Sequence, residues 1–477
     1  MRTFGTLGVG VLLVALIMAA LTLFVVDSHA DTDGDALPRA LIVTYTSLVL
    51  GVGAGAFFGL LKGRIGWFIL MASHFVWFAW PAFLSLSEGR YFGDIARYRL
   101  PPETVTKCTL LFILFLALNL VGYVLASWRT TEPSSDEPQR EFIPQIGPVM
   151  GVFFLLGVLP YFVLGGSFAE IVAQISAARS VDKPWSQGAH VVAEHGPAVV
   201  LARASLVTFS ALGVWLVFAR RTYRIPFWLA AFLAFSALLG LLITFFDSGT
   251  RTWTIIMIGP AALAAFSYRI RQRHLIRGTL TAAVALLLAV ALVQLQRFYR
   301  FTSTITNLEV EQVVELQDND FFTESAIAMD LVPRFGYLNQ FEPALYVTNF
   351  IPRFLWENKP YSQTLRFFTL GRSGFDEYLK TGTSRMPGVV GQHYMSWGLT
   401  GVVIAGLAWG ALFGWFESLF RRGRAWSLHA FFGALGLVFM FTSARGLYPG
   451  FHYPLVITLV LFLVRRLLER RSDGAEA

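Results

Sequence analysis

The sequence predicts an all-α, polytopic membrane protein of about twelve transmembrane helices, on three observations. Apolar runs of about twenty residues recur along most of the 477-residue chain, the length that carries an α-helix across a bilayer core. Only 14% of residues are charged and the mean hydropathy is +0.58, against roughly a quarter charged in soluble domains. Clusters of Lys and Arg fall in alternate connections between the runs, as the positive-inside rule requires of cytoplasmic loops. In lipid every backbone polar group must be satisfied within its own segment, so runs of this length are helices.

The first run, 4–26, follows Arg2 and precedes Ser28-His29-Ala30, the outline of a signal peptide with a small-residue cleavage site. It exceeds the roughly 7–15 residues of a signal core, so it reads as the first membrane helix. Cleavage would leave the orientation downstream unchanged. The other runs lie near 38–61, 66–87, 104–126, 146–165, 197–219, 226–246, 252–268, 275–296, 397–420, 425–442 and 451–468. Lys62 and Arg64; Arg220, Arg221 and Arg224; Arg269, Arg271, Arg273 and Arg277; Arg421, Arg422 and Arg424; and the tail Arg465 to Arg471 all occupy even-numbered connections or the C-terminus. Their face and both termini are therefore cytoplasmic. The acidic connection 27–37 falls outside as expected; 127–145, where acids outnumber bases, is the one poor fit.

Three regions result: helices one to nine with short loops (1–296), a large outer loop (297–396), and the last three helices with a cytoplasmic tail (397–477). The loop carries nine cations, Arg297, Arg300, Arg334, Arg353, Lys359, Arg366, Arg372, Lys380 and Arg385. Cations are depleted on the outer side, so these point to a ligand. Within the loop, 308–331 has the mixed apolar and acidic spacing of a helix lying along the membrane surface. The single cysteine, Cys108, sits inside an apolar run, which argues against disulfides, zinc and thiol catalysis. No basic run is interleaved with aromatics in the manner of nucleic-acid binding.

Several outer segments carry chemistry. In FDSGTRTW (Phe246–Trp253), Gly249 allows a tight turn and Arg251 enters the next helix near its N-terminus, where backbone N–H groups favour an anion such as a diphosphate; an arginine snorkelling to headgroups is the alternative. IPRFLWENKP (Ile351–Pro360) offers Arg353 and Lys359 for phosphate, Trp356 to stack on a sugar, and Glu357 as a proton acceptor; an interfacial aromatic belt with a surface ion pair is the alternative. GTSRMPGVVGQHYMSWG (Gly382–Gly398) brings Arg385, Gln392, His393 and Tyr394 to the bilayer surface, with Gln and Tyr suited to sugar hydroxyls; a lone histidine such as His393 more often satisfies a local hydrogen bond, with general base work the alternative. SARGLYPGFHYP adds Arg445, Tyr448 and His452 on the same face, for headgroup anchoring or substrate contact. Arg203 lies within a span, marking either a substrate path or a side chain snorkelling to the surface. His74 and Asn119 read as interhelical hydrogen-bond partners. The acidic first loop (Asp27, Asp31, Asp33, Asp35) suits a solvated connection better than a metal site. GLLKGRIG (Gly59–Gly66) lacks the acidic residue of the short transporter motif it echoes.

The order SGTR, a large outer loop with IPRFLWENKP, then GxxYxxxG from Gly391 resembles the oligosaccharide repeat-unit polymerases, the Wzy-like family similar to the O-antigen polymerases. The resemblance covers about 247–410. It implies a membrane glycosyltransferase of the GT-C type in the bacterial inner membrane, which transfers a glycan from undecaprenyl diphosphate to the next lipid-linked repeat unit. Arg251 matches the arginine of the family's S-G-x-R motif; Arg353, Trp356, Lys359 and Pro360 match P-R-x-x-W-x-x-K-P; Gly391, Tyr394 and Gly398 match the segment entering the next helix. Many relatives carry glutamate where this chain has Gln392, which leaves Asp247 or Glu357 as the base. On this expectation Arg203, Arg251, Arg353, Trp356, Lys359, Arg385, Gln392, Tyr394 and Arg445 bind substrate, without metal or cofactor. Implied partners are undecaprenyl-diphosphate-linked oligosaccharide, membrane lipid, a chain-length-regulating protein and a flippase. An O-antigen ligase-like transferase and, further off, a transporter or lipid-oligosaccharide flippase are the alternatives.

Overall fold

The computed structural model describes residues 36–61, 64–87, 100–127, 192–248, 251–271, 320–340, 363–373, 386–422, 426–446 and 454–461, with short pieces between 151 and 173 and the single residues 356 and 463. Among these residues no strand occurs. In chain order the helices are α1 Ala36–Leu61, α2 Ile65–His74, a π-helical turn Phe75–Ala79, α3 Trp80–Ser87, α4 Pro102–Ser127, α5 Val192–Phe218, α6 Phe227–Ser248, α7 Arg251–Arg271, α8 Phe321–Phe335, α9 Gln363–Ser373, α10 Gly388–Arg422 and α11 Leu428–Ser443.

Five stretches are long and apolar enough to cross a membrane: Ala36–Ala56, Ile65–Leu86, Pro102–Ser127, Phe227–Thr244 and Gly388–Arg422. Ala202–Phe218, Thr252–Tyr268 and Leu428–Ser443 are shorter apolar helices. All overlap expected runs, so the chain is an α-helical protein with the makings of a multi-pass membrane bundle. The expected runs 4–26, 146–165, 275–296 and 451–468 lie wholly or partly outside the described residues, as does most of 297–396.

The closest pairing joins α4 to α10 through small residues. A β-carbon on Gly410 would collide with the Asn119 carbonyl oxygen, and one on Gly122 with that of Leu407. Gly406, Gly410 and Gly414 recur every fourth residue and so share one helical face. Where lipid tails are as apolar as leucine, such backbone approach is what holds helices together.

Two loop expectations change. The amphipathic segment forms α8, shifted towards Phe335, and docks against α4, α10 and the π turn, with Phe321, Phe322, Ala326, Ile327, Ala328 and Leu331 buried. Small and apolar residues surround most of FFTESAIAMDLV, leaving no polar face broad enough to meet headgroups. Its polar side chains are taken up locally: Glu324 is 2.6 Å from Arg372 of α9, and Asp330 accepts a 3.5 Å hydrogen bond from Thr104. Arg372, counted among the cations awaiting a ligand, therefore holds the loop's own fold.

The second change concerns α10. The run expected from 397 begins instead at Gly388 and is interrupted at Trp397 (φ −139°, ψ 21°) and Gly398 (φ 59°, ψ −141°). The carbonyls of Met395 and Ser396 accept from the backbone N–H of Leu338 at 3.0 Å and Asn339 at 2.9 Å. The chain leaving α8 thus supplies the donors that the interrupted helix lacks.

Candidate functional site

Helix direction sorts the chemistry into two ends. At one end Arg64, Tyr123, Glu417 and Arg421 gather: the Tyr123 hydroxyl donates to Glu417 Oε2, and Arg421 Nη1 is 3.9 Å from Glu417 Oε1. Trp215 Nε1 and Tyr223 Oη donate to the Trp426 carbonyl at 2.9 and 2.8 Å, which ties the turn bearing Arg220, Arg221 and Arg224 to the same end.

The opposite end collects the segments singled out for chemistry. The end of α3 meets the start of α8, where Ser85 Oγ donates to Asp320 Oδ2 at 3.1 Å. The start of α10 meets α8 and the end of α11: Ser325 Oγ lies 2.8 Å from the Pro387 carbonyl and accepts from Gly391 N at 3.3 Å, and Val389 N donates to the Ala444 carbonyl at 3.1 Å.

Arg445 stands at the centre of this end, just beyond α11. Its guanidinium carbon is 5.5 Å from the Trp77 ring centre and 5.2 Å from that of Phe321, within cation–π range. Nη1 donates to Thr252 Oγ1 at 3.4 Å, beside Arg251 at the start of α7. A cation here also suits the negative C-terminal end of the α11 dipole. Gln392 is fully buried, and its Oε1 would be 3.5 Å from a β-carbon placed on Gly446. The start of α7, the start of α10 and the end of α11 therefore converge.

Tyr394 takes another side. Two residues along an α-helix are about 200° apart, so Tyr394 faces away from Gln392, 6.0 Å from the Tyr337 ring and with Lys107 Nζ 4.9 Å from its ring centre. Gln392 and Tyr394 do not line one wall. The hydrogen bond with Tyr394, aided by partial burial, pushes the Tyr337 hydroxyl above the usual phenol range. His393 is buried.

Asp247 lies in the last turn of α6 and Arg251 opens α7; for both, only the helical position is described. Arg203 sits partly buried on α5, three turns past Val192 and not two, because the helix starts before 197. Trp356 is 38% exposed. Arg353, Glu357, Lys359 and Arg385 lie outside the described residues.

Sequence reasoning missed Asp320, Trp77, Phe321 and Thr252. Asp320 caps α8, accepting from Thr323 N at 2.9 Å and Thr323 Oγ1 at 2.6 Å. Burial pushes its carboxyl up, and the hydrogen bonds from Thr323, Ser85 and Phe322 partly offset this. Asp320 heads the helix that begins at Phe321, inside the segment read as one helix over 308–331, of which 308–319 lie outside the described residues. Trp77 read as one more aromatic in FVWFAW. His74 and Asn119 do pair as expected: Asn119 Nδ2 is 3.4 Å from His74 Nε2, and Tyr45 Oη is 3.0 Å from Nδ1.

Chemically, an oriented guanidinium, a threonine hydroxyl and the first N–H groups of α7 present donors to one region, the arrangement that binds phosphate oxygens. No family model, curated protein or solved structure matches the chain.

Proposed function

We propose that this chain is a membrane glycosyltransferase that polymerises undecaprenyl-diphosphate-linked oligosaccharide repeat units at the outer face of the bacterial inner membrane, from a bundle of about twelve helices. One observation carries it: Arg445 beside Thr252, with Gln392 behind Gly446, unites at one end three segments that are far apart in sequence. In the reaction an acceptor sugar hydroxyl attacks the anomeric carbon of the donor glycan. The bond from that carbon to the diphosphate oxygen breaks, and the lipid diphosphate leaves with the electron pair. Arg445, Arg251, Arg353 and Lys359 stabilise the departing charge. Asp247 or Glu357 takes the hydroxyl proton.

Incubating the purified protein with lipid-diphosphate repeat units should give a lengthening glycan ladder. Arg445→Ala and Arg251→Ala should abolish the ladder while leaving the yield of folded protein unchanged; near-normal ladders from both would sink the assignment. A deletion strain separates polymerase from ligase: single-repeat glycan on the core indicates the former, absence of attached glycan the latter.

A further inference from the structure

We infer that Trp77 and Phe321 are positioning residues that aim Arg445 at a diphosphate, and that the π-helical turn Phe75–Ala79 exists to place Trp77 there. This rests on the diphosphate reading above. The two rings flank the guanidinium at 5.5 and 5.2 Å and meet each other edge to face, 5.8 Å apart at 66°. Both are buried, Trp77 at 6% and Phe321 at 4% exposure, so the cage walls are rigid.

Trp77 is itself held. Its indole N–H donates to the Phe441 carbonyl at 2.8 Å, one of the last-turn acceptors of α11 without an intrahelical partner, and its ring packs 5.5 Å from Phe441. The indole thus closes the helix end from which Arg445 emerges while its face orients the cation. A π turn inserts one residue into the helical repeat and so rotates the side chains beyond it; here it covers Trp77 itself. Phe321 directly follows Asp320, which caps α8 and receives Ser85 of α3, so the second wall is tied to the same rod as the first. A free arginine has several rotamers to lose on binding an anion. A caged one has already lost them, so binding is tighter.

The test is a double-mutant cycle on the full-length protein in nanodiscs, titrated with farnesyl diphosphate and, separately, inorganic pyrophosphate. Trp77→Leu should weaken farnesyl diphosphate binding about tenfold, and Trp77→Phe should recover most of that loss. In an Arg445→Ala background, Trp77→Leu should add nothing, because the two act as one unit. Phe321→Leu enters the same cycle and replaces Trp77→Leu if that variant does not fold. Wild-type affinity in both cage variants, or losses that add to that of Arg445→Ala, overturns the cage. Wild-type affinity in Arg445→Ala itself overturns the diphosphate reading, and the inference with it. Pyrophosphate bound as tightly as farnesyl diphosphate places recognition in the headgroup, as the cage requires; no pyrophosphate binding at any concentration counts against it.

Discussion

At the residue scale, Gly398 and Asp320 show how single positions answer to local physics. Gly398 sits at φ 59°, ψ −141°, a region that side chains with a β-carbon rarely enter. A β-carbon there would also lie 2.9 Å from the Tyr337 ring. Gly398→Ala should therefore cost about 1–3 kcal/mol, read as a lowered unfolding midpoint in detergent; an unchanged midpoint would show that the interruption is dispensable. Asp320 gives a pH signature. Its folded carboxyl is pushed up by burial, so the folded state holds the proton more firmly than the unfolded chain does. The resulting stability is fully present below the ordinary carboxylate range and is lost as pH rises through the raised value. Asp320→Asn keeps an acceptor for Thr323 N and should flatten the stability profile from the ordinary carboxylate range upward. Thermal unfolding across that window checks it, and a profile as steep as wild type would refute the assignment.

At the scale of elements, two contacts decide how the bundle and its outer segment hold together. Along the α4–α10 seam no atom can be added at Gly410 without meeting the Asn119 backbone. Gly410→Val should cost about 3 kcal/mol or more, since overpacking of this kind moves backbone rather than side chains, and folded yield should fall with it. Gly55, with open space around it, is the control: Gly55→Ala should be tolerated. The sequence carries this seam as small residues at every fourth position of GLAWGALFG, a pattern that hydropathy alone does not single out. The Glu324–Arg372 pair is different. Its members are 12% and 10% exposed, so removing one leaves a poorly solvated charge. Arg372→Ala should cost about 3 kcal/mol, and Glu324→Gln in the same chain should restore part of it. Full stability of the single variant would return Arg372 to the pool of ligand-binding cations. Nothing in the sequence pairs these two, forty-eight positions apart, and charge counting assigned Arg372 to a ligand for that reason.

At the scale of the whole molecule, hydropathy located the five helices long and apolar enough to cross a membrane, because a backbone in lipid has few alternatives to the helix. The cationic turns at Arg64, Arg220 to Arg224 and Arg421 do share one end, opposite Arg445 and Thr252. Orientation is checked by impermeant maleimide labelling in a Cys108→Ala background. Arg334→Cys, at an exposed position on α8, should react from outside and Arg221→Cys, also exposed, only after permeabilisation; the reverse pattern would invert the topology. What hydropathy did not reveal was the grouping of Trp77, Phe321, Thr252 and Arg445. Those contacts span hundreds of residues, and an aromatic in a membrane helix looks the same whether it faces lipid or a guanidinium. The interruption of α10 has a further consequence, for biogenesis. The N–H groups that satisfy Met395 and Ser396 belong to Leu338 and Asn339, which are synthesised first. When α10 emerges from the ribosome, its missing donors already exist upstream. The helix reaches its final shape only once that earlier segment has docked against it, so docking of the segment and maturation of the helix form a single assembly step.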